Sequence, residues 1–357
     1  MSPRTAIALS LPAKRLPYIL TGYGLPYTLG YIPLKNGSAN PSPLALLDLV
    51  GRAENLGLSG IEAPLSNRIP SFDGRIVERD ASKQDLGETL RDRKMKVVAD
   101  AGILLDEDPK QIETSMRMAR ATGATIYRVM LSNLLCGDRR PIEGGWPSHL
   151  EATAQRLRQI LPIAEDLDIV IAAENHQDAT VDDLLTLYDS VNGSPAFGVT
   201  FDTGNPLAVG EDPVESARRL APIIRHLHLK DYTMHPAPNG YRLVRCVAGQ
   251  GVIDFPRILE IVHANGQDVL PGIEIAAQAT RSIPLRDPDW WSTYPNQPNL
   301  DTLLSWQMLR EKGRPVDEPY SSPWEQGADA ETVLLDEWSL LKKSVDYFRQ
   351  LEIAPPV

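Results

Sequence analysis

The sequence predicts a (β/α)8 barrel with a C-terminal extension, and three features lead there. From about residue 44 to 277, amphipathic helical segments alternate with short β-branched runs, the pattern of a parallel sheet. The strongest of these runs are apolar at nearly every position, as strands buried on both faces must be. Seven clear strands and one further candidate, spread over roughly 250 residues, match the span of a closed barrel. An open doubly wound sheet is the competing architecture, but no Gly-x-Gly-x-x-Gly follows the first strand. A single TIM-barrel domain is expected over 1–357, with its core at about 18–277, an irregular extension over 278–335 and a terminal helix over 336–351.

In chain order, the first strand is expected at 27–32, with 18–21 as the alternative. Leu46, Leu47, Val50 and Ala53 fall at helical spacing, and Gly57 stops that helix. Residues 59–64 read as a strand, 85–93 as a helix and 95–101 as a strand. Asp108 and Pro109 give an N-cap and a first-turn proline ahead of Ile112, Met116 and Ala119. After a strand at 125–131, Ser148 and Glu151 fit a capping box ahead of Ala154, Leu157, Leu161 and Ala164. Strands at 169–175, 197–202, 223–229 and 271–276 complete the barrel. Leu340, Val345, Tyr347 and Phe348 mark the terminal helix that closes the outer ring.

Composition narrows the partners. At 42% hydrophobic and 23% charged, the chain can bury a sizeable core as a soluble protein. It contains no apolar run of about 18 residues, so no membrane span is expected. The N-terminal stretch is broken by proline and basic residues and lacks the apolar region of a signal peptide. Cys136 and Cys246 are too few for a disulfide scaffold, which points to the cytoplasm. A net charge of −11 with no basic cluster argues against nucleic acid.

Chemistry in such a barrel sits at the carboxyl ends of the strands. Four consecutive strand ends carry residues able to bind a cation: Glu174, Asp202, His228 and Glu274. Their spacings are 28, 26 and 46 residues, one βα unit for each of the first two and a unit plus an insertion for the third. Neighbouring strands lie about 4.8 Å apart, so the four side chains can converge on one ion. Three carboxylates and an imidazole suit a divalent cation, Mn2+ first, with Mg2+, Co2+ or Zn2+ as alternatives. Such a site would stabilise an enediolate formed when a proton leaves the carbon beside a carbonyl. A lone acid at a strand end is more often a helix cap or a salt-bridge partner. Four in succession are not accounted for that way.

These residues sit in a familiar series: Ala173-Glu-Asn-His176, Phe201-Asp-Thr-Gly-Asn205, His226-Leu-His-Leu-Lys-Asp231, Gly249-Gln-Gly-Val-Ile-Asp254 and Gly272-Ile-Glu274. The ordered set resembles the xylose isomerase-like barrel superfamily, within it the sugar phosphate isomerase/epimerase branch. The resemblance implies that Glu174, Asp202, His228 and Glu274 are the metal ligands and that Glu174 and Glu274 also form the acid/base pair. His228 is preferred to His226 because it directly precedes Leu-Lys-Asp; His226, two residues earlier, would lie one layer deeper. Two departures matter. Asn205 stands where the superfamily's DNA-repair endonucleases carry a histidine, which argues against a three-metal nuclease. Met234 stands where some ketose epimerases carry a substrate-binding arginine, which argues against free-ketose 3-epimerisation.

His149, in the loop after the fourth strand, is a further candidate base or sugar contact, with a solvated first-turn helix residue as the alternative. His176, Asn205 and Lys230 are candidate substrate contacts because each neighbours a ligand position, although Lys230 could instead pair with Asp231 or Glu274. The segment 280–295 holds two adjacent tryptophans, a tyrosine and two arginines. It could cap the pocket or form a subunit interface; the second is preferred, giving a homo-oligomer, with an accessory subunit as a further partner. The expected activity is isomerisation or epimerisation of a small carbohydrate. A lyase on the same site, a dehydratase or a catalytic subunit cleaving C-glycosides of 3-keto sugars, starts from the same enediolate. Isotope exchange without elimination separates the two. A non-catalytic partner subunit is the third class, and the intact ligand set argues against it.

Overall fold

A computed structural model of the chain describes residues 15–353 except 66, 67, 71–75, 79–82, 267, 297 and 319. The stretch 1–14, on which the reading of the N-terminus rests, lies outside the described residues. The strands begin with β1 (Leu16–Thr21) and β2 (Leu58–Pro64), followed by the short pair β3 (Arg68–Pro70) and β4 (Ile76–Glu78). Next come β5 (Lys96–Ile103), β6 (Ile126–Met130), β7 (Val170–Glu174), β8 (Phe197–Asp202) and β9 (Ile224–Leu229). The hairpin β10 (Tyr232–Ala237) and β11 (Gly240–Arg245) precedes β12 (Leu270–Ile273) and β13 (Arg281–Ile283). Eight of these strands, all parallel, close a barrel in the order β1-β12-β9-β8-β7-β6-β5-β2. The predicted TIM barrel is the fold. A separate antiparallel sheet, β10-β11-β13, is inserted beside it.

Helices α1 (Leu46–Asn55), α2 (Lys83–Asp92), α3 (Pro109–Thr122), α4 (Trp146–Asp166), α5 (Val181–Ser190), α6 (Pro213–Leu220) and α7 (Phe255–Ala264) alternate with the strands. After β12 come α8 (Pro288–Trp291), α9 (Leu300–Lys312) and α10 (Ala330–Ile353). The start of α3 follows the sequence: Asp108 accepts from the Lys110 and Gln111 amides, Gln111 bonds back to the Asp108 amide, and Pro109 fills the first turn. α10 packs on the barrel through Phe348, which meets Tyr18 of β1 and Phe255 of α7. No helix among the described residues is long and apolar enough to cross a membrane.

Three expectations change. The first strand is Leu16–Thr21, the alternative, and not 27–32. Residues 25–32 curl instead: Leu29 N donates to Leu25 O, Gly30 N to Tyr27 O, and Gly30 takes φ +72°. The amides of Tyr27 and Thr28 are taken by the Glu337 carboxylate of α10, a partner 310 and 309 residues away that no local pattern reveals. The capping box at Ser148 and Glu151 is not used. α4 starts at Trp146 behind Gly145, which provides no side-chain cap, because Pro147 suits the first turn while Glu151 bonds Gln155.

The extension is also more regular than expected, since it contains β13, α8, α9 and the first residues of α10. Trp290 is 0% exposed within the chain, so it is not free for a subunit interface. Its Nε1 donates to Cys136 O at 3.1 Å, and Tyr294 Oη donates to Gly137 O at 2.6 Å. Arg139 lies between the Trp146 and Tyr294 rings, 4.2 and 4.1 Å from their centroids. Gly137 has φ +66°, and a Cβ there would strike the Trp290 ring. The aromatic cluster therefore clamps the loop after β6 onto the extension.

Candidate active site

β7, β8 and β9 run side by side, with Asp202 in register with His228, and β12 pairs with β9 so that Gly272 lies opposite His228. Glu174 and Asp202 end their strands, His228 is the penultimate residue of β9, and Glu274 directly follows β12. This register brings the four side chains together. His228 Nδ1 is 2.9 Å from Glu274 Oε2, 3.5 Å from Glu174 Oε1 and 4.0 Å from Asp202 Oδ2.

Each of the four is tethered from outside the cluster by at least one atom. Asp202 Oδ1 accepts the Gly204 and Asn205 amides at 2.8 and 3.1 Å, leaving Oδ2 toward the cluster. Arg128 of β6 donates to Glu174 Oε2, and Asn205 Nδ2 donates to Glu174 Oε1 at 3.2 Å. Lys230 Nζ stands 2.7 Å from Glu274 Oε1 and 2.5 Å from Asp202 Oδ2. His228 Nε2 meets Glu62 Oε2 of β2 at 2.7 Å, so Nδ1 is the nitrogen turned to the acids. Asn175 locks two strand ends by donating to Asp202 O while its Oδ1 accepts the Asp202 amide. Asp202 Oδ2 and His228 Nδ1 are buried and held by ion-pair contacts alone, to Lys230 Nζ and Glu274 Oε2, neither of which has hydrogen-bonding geometry. Glu174, Asp202 and His228 bring ligand atoms within 4.8 Å of one another, and Glu274 adjoins His228 at 2.9 Å, a set of oxygen and imidazole donors whose chemistry fits one divalent cation.

The electrostatics agree. Burial alone would raise Glu174 and Glu274, but Arg128 and His228 beside the first, and Lys230 and His228 beside the second, hold both below the usual carboxylate range. Both acids are therefore ionised. Burial pushes Asp202 up to about 6 against the pull of Lys230. Burial disfavours the His228 imidazolium, but Glu62 and Glu274 outweigh it and hold its pKa well above the usual range. Among the described residues, five buried carboxylates (Glu62, Asp100, Glu174, Asp202, Glu274) share Arg128, Lys230 and the His228 imidazolium. A dication offsets that excess.

A cavity of about 630 Å3 opens over this cluster. Glu174 and Glu274 line it, together with His176 and Lys230, whereas Asp202, His228 and Asn205 lie outside its lining. His176 Nδ1 is buried without a partner, and burial lowers its pKa to about 4, so the ring is neutral. Asn205 was expected to touch substrate, but its amide holds Glu174 and it is 1% exposed. His149 is the other correction. It stacks on Trp146, its Nε2 meets Leu131 O at 2.9 Å, and it does not line the cavity. The early start of α4 turns its ring back to the strand end.

Sequence reasoning overlooked Glu62, Asp100 and Arg128. Arg128 bridges Asp100 at 2.6 Å and Glu174, under the Tyr23 ring at 5.9 Å. Charged residues inside otherwise apolar barrel strands were the available signal, because a buried charge requires a partner. His226, by contrast, lies in the deeper layer as expected, with Nε2 on Glu62 Oε2 at 2.9 Å and Nδ1 on Leu270 O. Asp231 braces the turn that follows, accepting the amides of Tyr232, Gly249, Gly251 and Ile253. A Cβ at Gly251 would strike the Asp231 carboxylate, which explains the glycine in Gly249-Gln-Gly251.

Among characterised sequences, the chain is 26% identical over 216 residues to 3-oxo-isoapionate decarboxylase of Pectobacterium atrosepticum, covering 58% of this chain and 73% of that protein. Its barrel superposes on D-allulose 3-epimerase from Methylomonas sp. with a TM-score of 0.57 at 14% identity, over 94% of this chain and 97% of the other. A xylose isomerase-like TIM barrel protein from Mycobacterium smegmatis, solved in complex with magnesium, gives a TM-score of 0.52 at 16% identity, over 82% and 96%. The model of the xylose isomerase-like TIM barrel family matches residues 50–293. That span includes every strand of the site and exceeds half of the chain, so the chain belongs to the xylose isomerase-like TIM barrel family.

Proposed function

We propose that the chain is a divalent-metal-dependent isomerase or epimerase that moves a proton beside the carbonyl of a sugar-derived keto substrate. One observation carries this reading: a single imidazole nitrogen lies within 4.0 Å of carboxylate oxygens from three different strand ends. A cation held by Glu174, Asp202, His228 and Glu274 would supply positive charge where negative charge develops on two adjacent substrate oxygens. Of these four, Glu174 and Glu274 alone reach the cavity wall, so they are the residues placed to take and return the proton. Arg128 fixes Glu174 from behind, and Lys230 fixes Glu274 and faces the cavity as a donor for a substrate oxygen. Glu62 orients His228.

A second reading keeps the site and changes the outcome. The similarity to a decarboxylase favours a lyase, in which loss of a group beside the ketone generates the same enolate. The test uses Mn2+-loaded protein in deuterated water with a panel of keto sugars and keto sugar acids. Deuterium in recovered substrate or its epimer, without elimination, supports epimerisation. Release of carbon dioxide, water or an aglycone supports the lyase. No metal-dependent exchange or release on any member would sink both.

A further inference from the structure

Three permanently cationic side chains line the cavity: Arg128, Lys230 and Arg281. Two are neutralised within the protein, Arg128 by Asp100 and Glu174, and Lys230 by Asp202 and Glu274. Arg281 differs. It is only 8% exposed, and among the described residues no carboxylate lies within ion-pair distance of its guanidinium. Its Nε is buried without a hydrogen-bond partner, and NH1 has a single long bond, to Ala279 O at 3.3 Å. A buried, unpaired guanidinium costs several kcal/mol unless something compensates it.

The backbone holds Arg281 in place. β13 pairs with β11, with Arg281 opposite Leu243. The preceding Thr280 is fixed by its amide and hydroxyl to Glu325 Oε1, at 3.0 and 2.9 Å. The guanidinium is thus presented to the cavity by a braced strand of the C-terminal extension. Its planar fork offers two parallel N–H groups, the complement of a carboxylate. A phosphate dianion calls for more than one free cation or a helix N-terminus, and Arg281 is the one lining cation left unpaired.

We propose that Arg281 anchors a carboxylate of the substrate, so that the enzyme acts on an oxidised sugar acid and not on a neutral or phosphorylated sugar. This rests on the reading of the cavity as the substrate site and names the substrate class for it. His176, whose Nδ1 is also unpartnered in the same cavity, is a second polar contact for that ligand.

Calorimetric titration of the full-length Mn2+-loaded protein tests this with two matched pairs, glucuronate against glucose and gluconate against glucitol, plus glucose 6-phosphate. At least one acid is expected to bind about 10-fold or more tightly than its neutral partner, the scale of a charge-assisted hydrogen-bond pair. Arg281→Gln should erase that advantage by weakening acid binding far more than neutral-sugar binding, and should melt no lower than wild type because no ion pair is lost. Arg281→Lys should retain part of the preference, and it carries the test if the Gln variant does not fold. Equal binding of acids and neutral sugars, a preference that survives Arg281→Gln, tighter binding of the phosphate ester, or binding of none of the five overturns the assignment. Deuterium exchange separates the two claims. Exchange on neutral keto sugars without acid preference removes the carboxylate anchor alone, whereas Arg281-dependent acid binding without metal-dependent exchange removes the proposed reaction alone.

Discussion

His226 and His228 lie two residues apart on β9, face the same way and share Oε2 of Glu62, yet their Nδ1 atoms meet different surroundings. The Nδ1 of His226 ends on the Leu270 carbonyl, and every polar atom of that ring has a partner. The Nδ1 of His228 has no contact of hydrogen-bonding geometry and faces three acids, the nearest of them Glu274 Oε2 at 2.9 Å. One strand and one carboxylate thus support both a closed network and an open one. The closed network belongs to the architecture of the barrel, because satisfied buried polar groups rigidify a core. The open one is costly unless a ligand completes it, which is why it sits at the mouth.

The contrast can be broken from either side. Glu174→Gln or Glu274→Gln should reduce metal-dependent deuterium exchange by about 10³-fold or more while the melting temperature stays within a few degrees of wild type. Near-normal turnover in either variant would remove the acid/base pair. His226→Leu should do the reverse, costing about 2–4 kcal/mol in urea unfolding while activity per bound metal stays close to wild type. A silent His226→Leu would show that the deep layer is not structural.

Glu62→Gln touches both layers. Metal affinity should fall about 10- to 100-fold in calorimetric titration, because His228 loses the group that orients it. An unchanged affinity would mean that His228 is held by its strand alone.

Asp178 is an intermediate case and gives the smallest effect. Its Oδ2 accepts from Ser132, its Oδ1 is buried without a partner, and burial pushes its pKa up to about 7. The folded protein therefore holds this proton to higher pH than the unfolded chain, whose aspartates titrate near about 3.9. Ionising it costs stability as pH rises from about 4 through about 7, after which the cost levels off. Asp178→Asn lacks this titration, so its stability relative to wild type should rise over that window, by about 2 kcal/mol between pH 5 and 7. A difference independent of pH would contradict the assignment.

The barrel and the polar residues at its strand ends, Glu174, Asp202, His228 and Glu274, were legible in the sequence because both follow from local periodicity. Apolar runs such as Phe197–Asp202 require burial on two faces, and one acid or imidazole per βα unit is carried by strand spacing to neighbouring sheet positions. What failed lay where distant residues decide. Residues 25–32 have strand-like composition, but Tyr27 and Thr28 give their amides to Glu337, and Trp290 is buried against a loop more than 150 residues earlier. Glu62 and Arg128, which hold His228 and Glu174, and Asp100, which holds Arg128, come from strands far away in sequence, and Arg281 enters from an extension with no barrel periodicity. Sequence alone determined which side chains end each strand, since that needs only the period of the backbone. The tertiary structure alone decided which of their atoms are tethered and which stay open, because pairing a buried charge depends on barrel closure and on segments that meet only in the folded chain.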